Sequence, residues 1–382
     1  MLFKSLSVLA LAGHAFAQNT PTLAQALNSS SNLSQLQAVL HLNPGLVETL
    51  SGAKNITILA PSNTAFSRID NATLTGLTQN TGLLTAILQY HVLNGTYPAS
   101  AVTNTSAFIP TLLTNPLFTN VTGGQRVQAV LRNGNVTFFS GLLANSTVSQ
   151  ANVNFTGGVI HVIDNLLTLP ENAADTLSAA NLTSLRGALN ATSLVSAVNN
   201  SPNITVFAPT NAALQAIGGS LANLSTADIT NVLTYHVVNG TVGYSSGLSN
   251  GTILRAANGA NLTITIHQGR IFVNGARVVT SDILIANGVA HVIDAVLNPN
   301  NATLANSSAT AGGVAFSGAS SATNVPFTSG QPTPTRTIAP AATSNAAPGG
   351  GASSSSSKAA AAQQTGAMGV GALLGAAAVY FL

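Results

Sequence analysis

The chain has 382 residues, of which only 5% are charged, with Lys+Arg 11 against Asp+Glu 8 and no Cys. That charge density is far below the roughly 25% usual in soluble domains, and without a Lys/Arg cluster the formal net charge of +3 points to no nucleic-acid partner. The lack of Cys excludes disulfides, thiolate metal sites and Cys nucleophiles, so burial of the hydrophobic residues (46%) must hold the chain together.

In chain order, residues 1–17 read as a secretory signal peptide. Lys4 supplies the positive start, Leu6–Ala12 the apolar stretch, and Ala15-Phe16-Ala17 the small-x-small cleavage site before Gln18. The body from Thr20 to Pro299 then repeats once. Leu33, Leu36 and Leu40 recur as Leu182, Leu185 and Leu189, 149 positions on, and both triplets occupy one face of a helix. The run Asn55-Ile-Thr-Ile-Leu-Ala-Pro61 matches Asn203-Ile-Thr-Val-Phe-Ala-Pro209 at an offset of 148. Tyr90-His91-Val92 matches Tyr235-His236-Val237 at 145, and His161-Val-Ile-Asp164 matches His291-Val-Ile-Asp294 at 130. The offset drops by 15 between the last two blocks, so the second copy lacks a loop or hairpin there. Two copies of this length are two domains rather than a solenoid.

Local patterns alternate within each copy. Ile56–Ala60 is a short β-branched run ended by Pro61, which predicts a strand. Ser62 and Thr210 stand where helix N-caps belong. Leu84, Ile87, Leu88 and His91 share a helical face, as do Ile229, Val232, Leu233 and His236. The later part of each copy is strand-like, for example Leu262–His267 and Arg270–Val273 around Gln268-Gly269. Helices early and strands late predict an α+β fold.

Beyond the repeat, residues 300–352 are rich in Ser, Thr, Ala, Gly and Pro, a composition that predicts a disordered, O-glycosylated stalk. Residues 353–382 have the order of a GPI-attachment signal: small residues, a spacer, then the uncharged hydrophobic tail 366–382. Counting back the spacer places the attachment residue among Ser353, Ser354, Ser355, Ser356 and Ser357. A retained membrane helix is the competing reading, but a Gly/Ala-rich tail of this length falls short of the ~20 residues needed to span.

The Ala-Pro, Tyr-His-Val and Gly-x-x-His-Val-Ile-Asp blocks, in this order and twice over, resemble the fasciclin (FAS1) domain, across residues 20–169 and 171–299. The chain is similar to fungal GPI-anchored fasciclin-like cell-surface proteins. The resemblance implies two tandem domains, each a wedge of β-strands packed with several helices, and export of the protein. It also implies roles in cell adhesion and matrix contact, in some members through the segment around the Tyr-His pair. Where the family often carries Pro-Gly after this pair, the chain has Asn94-Gly95 and Asn239-Gly240, which makes each Asn a glycan acceptor.

About twenty Asn-x-Ser/Thr sequons occur, with Asn55 and Asn203, and Asn94 and Asn239, at equivalent positions of the two copies. A modified Asn must face solvent, and glycans would keep so uncharged a surface soluble. Tyr90, His91, Tyr235 and His236 form the candidate recognition or structural motif. Each histidine reads either as a contact residue or as a core-edge residue bonded to the backbone. His161/Asp164 and His291/Asp294 look like catalytic dyads, but residues three apart on a strand point to opposite faces, so both pairs read as structural strand motifs. Gly247–Gly251 matches the nucleophile-elbow pattern without the strand-turn-helix context that motif needs.

No catalytic, cofactor or metal residues are therefore assigned, and no cofactor is expected. The reading is a non-enzymatic, extracellular glycoprotein held to the outer membrane leaflet or wall by a lipid anchor. Its expected partners are cell-surface or matrix proteins, or a wall polysaccharide. A secreted hydrolase acting on wall or host polymers and an apolar small-ligand-binding module are the alternatives.

Overall fold

The computed structural model describes residues 20–334 except Val314 and Ser317. The expected signal peptide, attachment serines and hydrophobic tail lie outside the described residues.

Domain 1 begins with α1 (Leu23–Asn28), α2 (Ser34–His41) and α3 (Pro44–Gly52), then β1 (Ile56–Pro61), α4 (Asn63–Ser67), α5 (Asn71–Gln79) and α6 (Thr81–Tyr90). Strands β2 (Val92–Asn94), β3 (Ala107–Pro110), β4 (Arg126–Arg132), β5 (Asn135–Phe139), β6 (Asn145–Phe155) and β7 (Gly158–Ile163) complete it. Domain 2 repeats the plan with α7 (Ala173–Ala179), α8 (Thr183–Ala191), α9 (Val195–Asn200), β8 (Ile204–Pro209), α10 (Asn211–Ala216), α11 (Gly218–Leu221) and α12 (Thr226–Tyr235). Its remaining strands are β9 (Val237–Val238), β10 (Ile253–Arg255), β11 (Asn261–His267), β12 (Arg270–Val273), β13 (Ala276–Ile285) and β14 (Gly288–Ile293). The fold is α+β, two seven-stranded sheets in tandem with helices packed on each.

The sheets have one order, β2-β1-β7-β6-β5-β4-β3 and its counterpart β9-β8-β14-β13-β12-β11-β10. The parallel pair β1/β7, and likewise β8/β14, lies inside the sheet with antiparallel strands on both sides. Burial on both faces explains why β1 and β8 are apolar but for Thr57 and Thr205, whose hydroxyls donate to the carbonyls of Gly95 and Thr241, both at 2.8 Å. Bridges Leu93–Thr111 and Val238–Ala256 draw the outermost strands toward each other, which curls each sheet into a nearly closed wedge. The parallel pairing depends on a glycine. A Cβ on Gly158 or Gly288 would meet the carbonyl oxygen of Ile56 or Ile204 at 1.8 or 1.9 Å, far inside contact distance. Ser62 and Thr210 cap the helices after β1 and β8, each accepting a backbone N–H at 3.1 Å, as expected.

No strand is lost in the second copy; loops are shortened instead. Ala107 of β3 corresponds to Ile253 of β10, 146 positions on, but Arg126 of β4 corresponds to Asn261 of β11, only 135 on. Domain 1 also has a 3-10 turn, Gly141–Leu143, between β5 and β6, where domain 2 has the tight turn Asn274-Gly275. These extra residues are where domain 1 holds domain 2. Fully buried Gln125 donates through Nε2 to the carbonyls of Ile285 (3.1 Å) and Ala286 (3.3 Å). Asn120 N–H donates to Ala286 as well, at 2.9 Å. Leu143 packs against the helical core of domain 2, and outside these extra residues Phe108 of β3 stacks on Tyr244 with centroids 4.1 Å apart.

Residues 301–334, expected to begin the disordered stalk, are instead laid along domain 2. Ala305 and Gly313 donate N–H bonds to the carbonyls of Asn274 and Gly275, at 3.0 and 2.9 Å. Phe316, Ala319 and Phe327 pack against the apolar core formed by α7, α8, α10, α12 and the sheet. Composition misleads here because a few Phe anchors and backbone hydrogen bonds suffice when the receiving surface is preformed. The rest of the expected stalk, residues 335–352, lies outside the described residues.

Candidate functional site

The Tyr-His pair ends α6 in domain 1 and α12 in domain 2, with the histidine at the helix C-cap. The helical apolar stripe turns both rings inward, and His91 and His236 are 4% and 1% exposed. His91 Nε2 accepts the Leu167 N–H at 2.9 Å, so its proton sits on Nδ1, which donates to the Ile87 carbonyl at 2.8 Å. His236 repeats this with the Leu297 N–H (2.9 Å) and the Val232 carbonyl (2.7 Å). Each ring thus pins the end of a helix to the segment leaving the last strand. Burial lowers both to about pH 4, against which the carbonyl bond pulls weakly, so both rings are neutral at pH 7. Tyr90 and Tyr235 are buried beside them, and their hydroxyls donate to the carbonyls of Arg126 (3.0 Å) and Asn261 (2.8 Å), the first residues of β4 and β11.

The second pair of histidines is equally committed. His161 Nδ1 accepts the Asn152 N–H at 3.2 Å, and its Nε2 donates to the Tyr97 carbonyl at 2.8 Å. His291 does the same with the Asp282 N–H (3.2 Å) and the Gly243 carbonyl (2.8 Å). Asn152 and Asp282 sit in the bulged stretches of β6 and β13 with φ near +60°, which turns their N–H groups toward the rings. Their side chains then receive the N–H of Ala99 (2.9 Å) and Ser245 (2.8 Å). Sequence reasoning missed this pair; an Asn and an Asp at matched positions of the repeat were the available signal.

Asp164 and Asp294 point away from the histidines of their own motifs. Asp164 accepts the Thr147 N–H at 2.7 Å, and Asp294 accepts those of Arg277 and Gly312, both at 2.8 Å. Asp70 and Asp228 serve at helix N-termini, Asp70 accepting the Thr73 N–H and Asp228 closing a capping box with Ser225. Glu171 lies at the joint, where burial, aided by the nearby Asp175, raises it to about 7. Gly247 ends the 3-10 turn Ser245–Gly247, and the residues after it up to Gly251 turn into strand β10 rather than a helix. Among the described residues no group of three or more His, Asp or Glu could hold a metal ion, and no helix is long and apolar enough to cross a membrane.

Asn55, Asn94 and Asn239 are exposed. Asn203 is half-buried in the joint: its Oδ1 accepts the Thr122 N–H and its Nδ2 donates to Thr122 Oγ1, both at 2.8 Å. The expectation that Asn203 faces solvent like Asn55 therefore fails, because the longer loop of domain 1 covers it.

The fasciclin domain family model matches residues 31–170 and 180–299. The chain is 38% identical over 325 residues to a fasciclin-like arabinogalactan protein of Arthroderma benhamiae, covering 83% of this chain and 76% of that one. It is 31% identical over 302 residues to the fasciclin-like arabinogalactan protein CTB11 of Cercospora beticola, covering 76% and 80%. Human periostin is 30% identical over 265 residues, which is 67% of this chain and 30% of periostin. With two matched copies on two copies of one wedge, the chain belongs to the fasciclin domain family.

Proposed function

We propose that the chain is a non-enzymatic glycoprotein of the cell surface or cell wall that makes adhesive or matrix contacts through its two fasciclin domains. In this reading it reaches the outside by its 1–17 leader and is held by a GPI anchor attached among Ser353–Ser357. The observation that carries the reading is the use of both ring nitrogens of His91, His161, His236 and His291 by the backbone. A general base needs a free nitrogen within reach of substrate, and these four are spent on the fold. The capped and jointed carboxylates support the same view, since a hydrolase gathers acid and base groups in one cleft. The family's adhesive and matrix roles supply the kind of partner: a surface or matrix protein, or a wall polysaccharide.

The joint adds a physical advantage. Two modules held at fixed separation gain avidity for a repeating polymer or a clustered partner without any strong single contact. For an apolar ligand, by contrast, the cavity inside the helical core of domain 1, lined by Leu23, Leu36, Leu84 and Leu88, measures about 40 Å³, and the apolar groove beside it at Leu40, Val47 and Leu50 about 140 Å³. Pockets for drug-sized ligands are roughly 300 Å³ or more.

Binding of the anchorless protein to arrays of wall glycans and surface proteins tests the proposal. Saturable binding with no turnover of the bound polymer supports it. Hydrolysis of any arrayed polymer that follows protein concentration overturns it. Phosphatidylinositol-specific phospholipase on intact cells tests the anchor: release is expected, and retention of correctly exported protein counts against it.

A further inference from the structure

The segment 315–331 crosses the helical face of domain 2 as a peptide crosses a groove. Gly219 N–H donates to the Ser320 carbonyl and Ala322 N–H to the Gln215 carbonyl, both at 2.9 Å. Gln215 Nε2 returns bonds to the carbonyls of Ala322 (3.3 Å) and Thr323 (3.2 Å). Ser184 Oγ donates to the Pro326 carbonyl and Arg186 Nη1 to Gln331 Oε1, both at 2.7 Å. Phe316 and Phe327 anchor the two ends on the apolar core. Main-chain hydrogen bonds with side-chain anchors are how grooves recognise extended peptides.

The groove is shaped for close approach. A Cβ on Gly187 would lie 1.8 Å from the Phe327 carbonyl oxygen, one on Gly218 2.4 Å from Ala322 Cβ, and one on Gly219 2.2 Å from Ser320 Oγ. Domain 1 has Ala38, Asp70 and Asn71 at the corresponding positions, with Ser67 in place of Gln215. Its helical face is thus not built for such a segment. Phe327 itself holds φ +59°, which a bulky residue keeps only where its surroundings impose it.

We propose that this face of domain 2 is a peptide-docking groove for an extended, uncharged, Phe-anchored segment, occupied in cis by residues 315–331, and that the partner it fits is the same segment of a second copy. The argument for a second copy is complementarity already on display: every copy carries both the groove and its ligand. Apart from Arg186 with Gln331, the contacts are uncharged, so like-charge repulsion does not oppose the exchange. Exchange of an identical element is a low-cost route to dimers, and a tethered segment competes at the millimolar effective concentration of a short linker. Exchange therefore becomes frequent only where copies are crowded. The inference rests on the surface-contact reading and names a partner for it.

Two full-length variants test it as a complementing pair. Gly187→Val damages the groove and leaves the strap; Phe316→Ser/Phe327→Ser damages the strap and leaves the groove. Mixed at high concentration, they are expected to sediment as a heterodimer while each alone sediments as a monomer. A mixture that stays monomeric overturns the second-copy partner. The groove is tested separately by placing a protease site in the exposed turn at Asn306–Ser308 and cleaving the folded chain. Labelled peptide 312–334 should then bind the cleaved chain at least tenfold more tightly than the intact one, and a Phe327→Ser peptide should lose at least tenfold. Equal binding to both chains, or to both peptides, overturns the groove. Should Gly187→Val not fold, Gly219→Val serves in its place. Adhesion to glycans or other proteins in the array assay does not require the strap, so failure here leaves that reading standing.

Discussion

The two domains are alike where the fold is made and unlike where something else is held. Both sheets have one strand order, both Tyr-His pairs staple a helix end to the chain leaving the last strand, and both bulges aim an N–H at a strand histidine. They differ at the loops around β3–β6, which in domain 1 are longer and grip domain 2. They differ again on the helical face, which in domain 2 carries Gly187, Gly218 and Gly219 and accepts the strap. A duplicated fold keeps the residues whose loss would leave buried polar groups unpaired, and varies those whose partners lie outside the domain.

If the staples are equivalent, breaking either should cost the same. His91→Ala and His236→Ala should each destabilise their own domain by about 3–5 kcal/mol, from a lost ring and an orphaned backbone N–H and C=O. Denaturation followed by domain-specific probes checks this. Unchanged stability with lost adhesion would make the histidine a contact residue after all.

Acid should act on the same two rings. With folded values of about 4 against an ordinary 6.5, the unfolded chain binds more protons between these limits. Stability is therefore full above pH 6.5 and falls as pH drops toward 4, by up to about 3 kcal/mol per histidine. Glu171 has the opposite sign: raised to about 7, it favours the fold below 4.5 and loses that contribution as pH rises through 7. Melting temperatures taken from pH 4 to 8 should fall steeply on the acid side. A profile flat between 6.5 and 4 would contradict the buried neutral rings.

The differences can be broken separately. Gln125→Ala removes the bond to the Ile285 carbonyl and leaves that of Ala286 with only the Asn120 N–H across the joint, and should cost about 1–3 kcal/mol of coupling between the domains. The expected signature is two resolved unfolding transitions where the parent has one. The smallest effect concerns sugars: glycopeptide mapping should find glycan on exposed Asn55, Asn94 and Asn239 and none on Asn203, whose amide is shared with Thr122. Occupancy at Asn203 would mean that the joint is open when the sugar is added.

Much of this was legible in the sequence. The repeat shows in matched blocks and both N-caps in their Ser and Thr, while the shared helical face of His91 and His236 and the opposed faces of His161 and Asp164 follow from periods of 3.6 and 2. The shrinking offset marked an insertion but not its purpose, because Thr122 and Asn203 are 81 residues apart. Nothing local links them. The roles of Asn152 and Asp282 were hidden too, since a bulge depends on how two strands register rather than on either strand alone.

What the residues settled without help was the architecture of each copy, since strand and helix are written in local hydrophobic spacing and the duplication wrote it twice. What only tertiary structure settled was every long-range engagement: which nitrogen of each histidine carries the proton, which loop covers Asn203, and where residues 301–334 lie. Composition assigned that last segment to disorder because it counts the apolar groups a stretch brings. It cannot count the preformed surface, opened by three glycines on another part of the chain, against which two phenylalanines are enough.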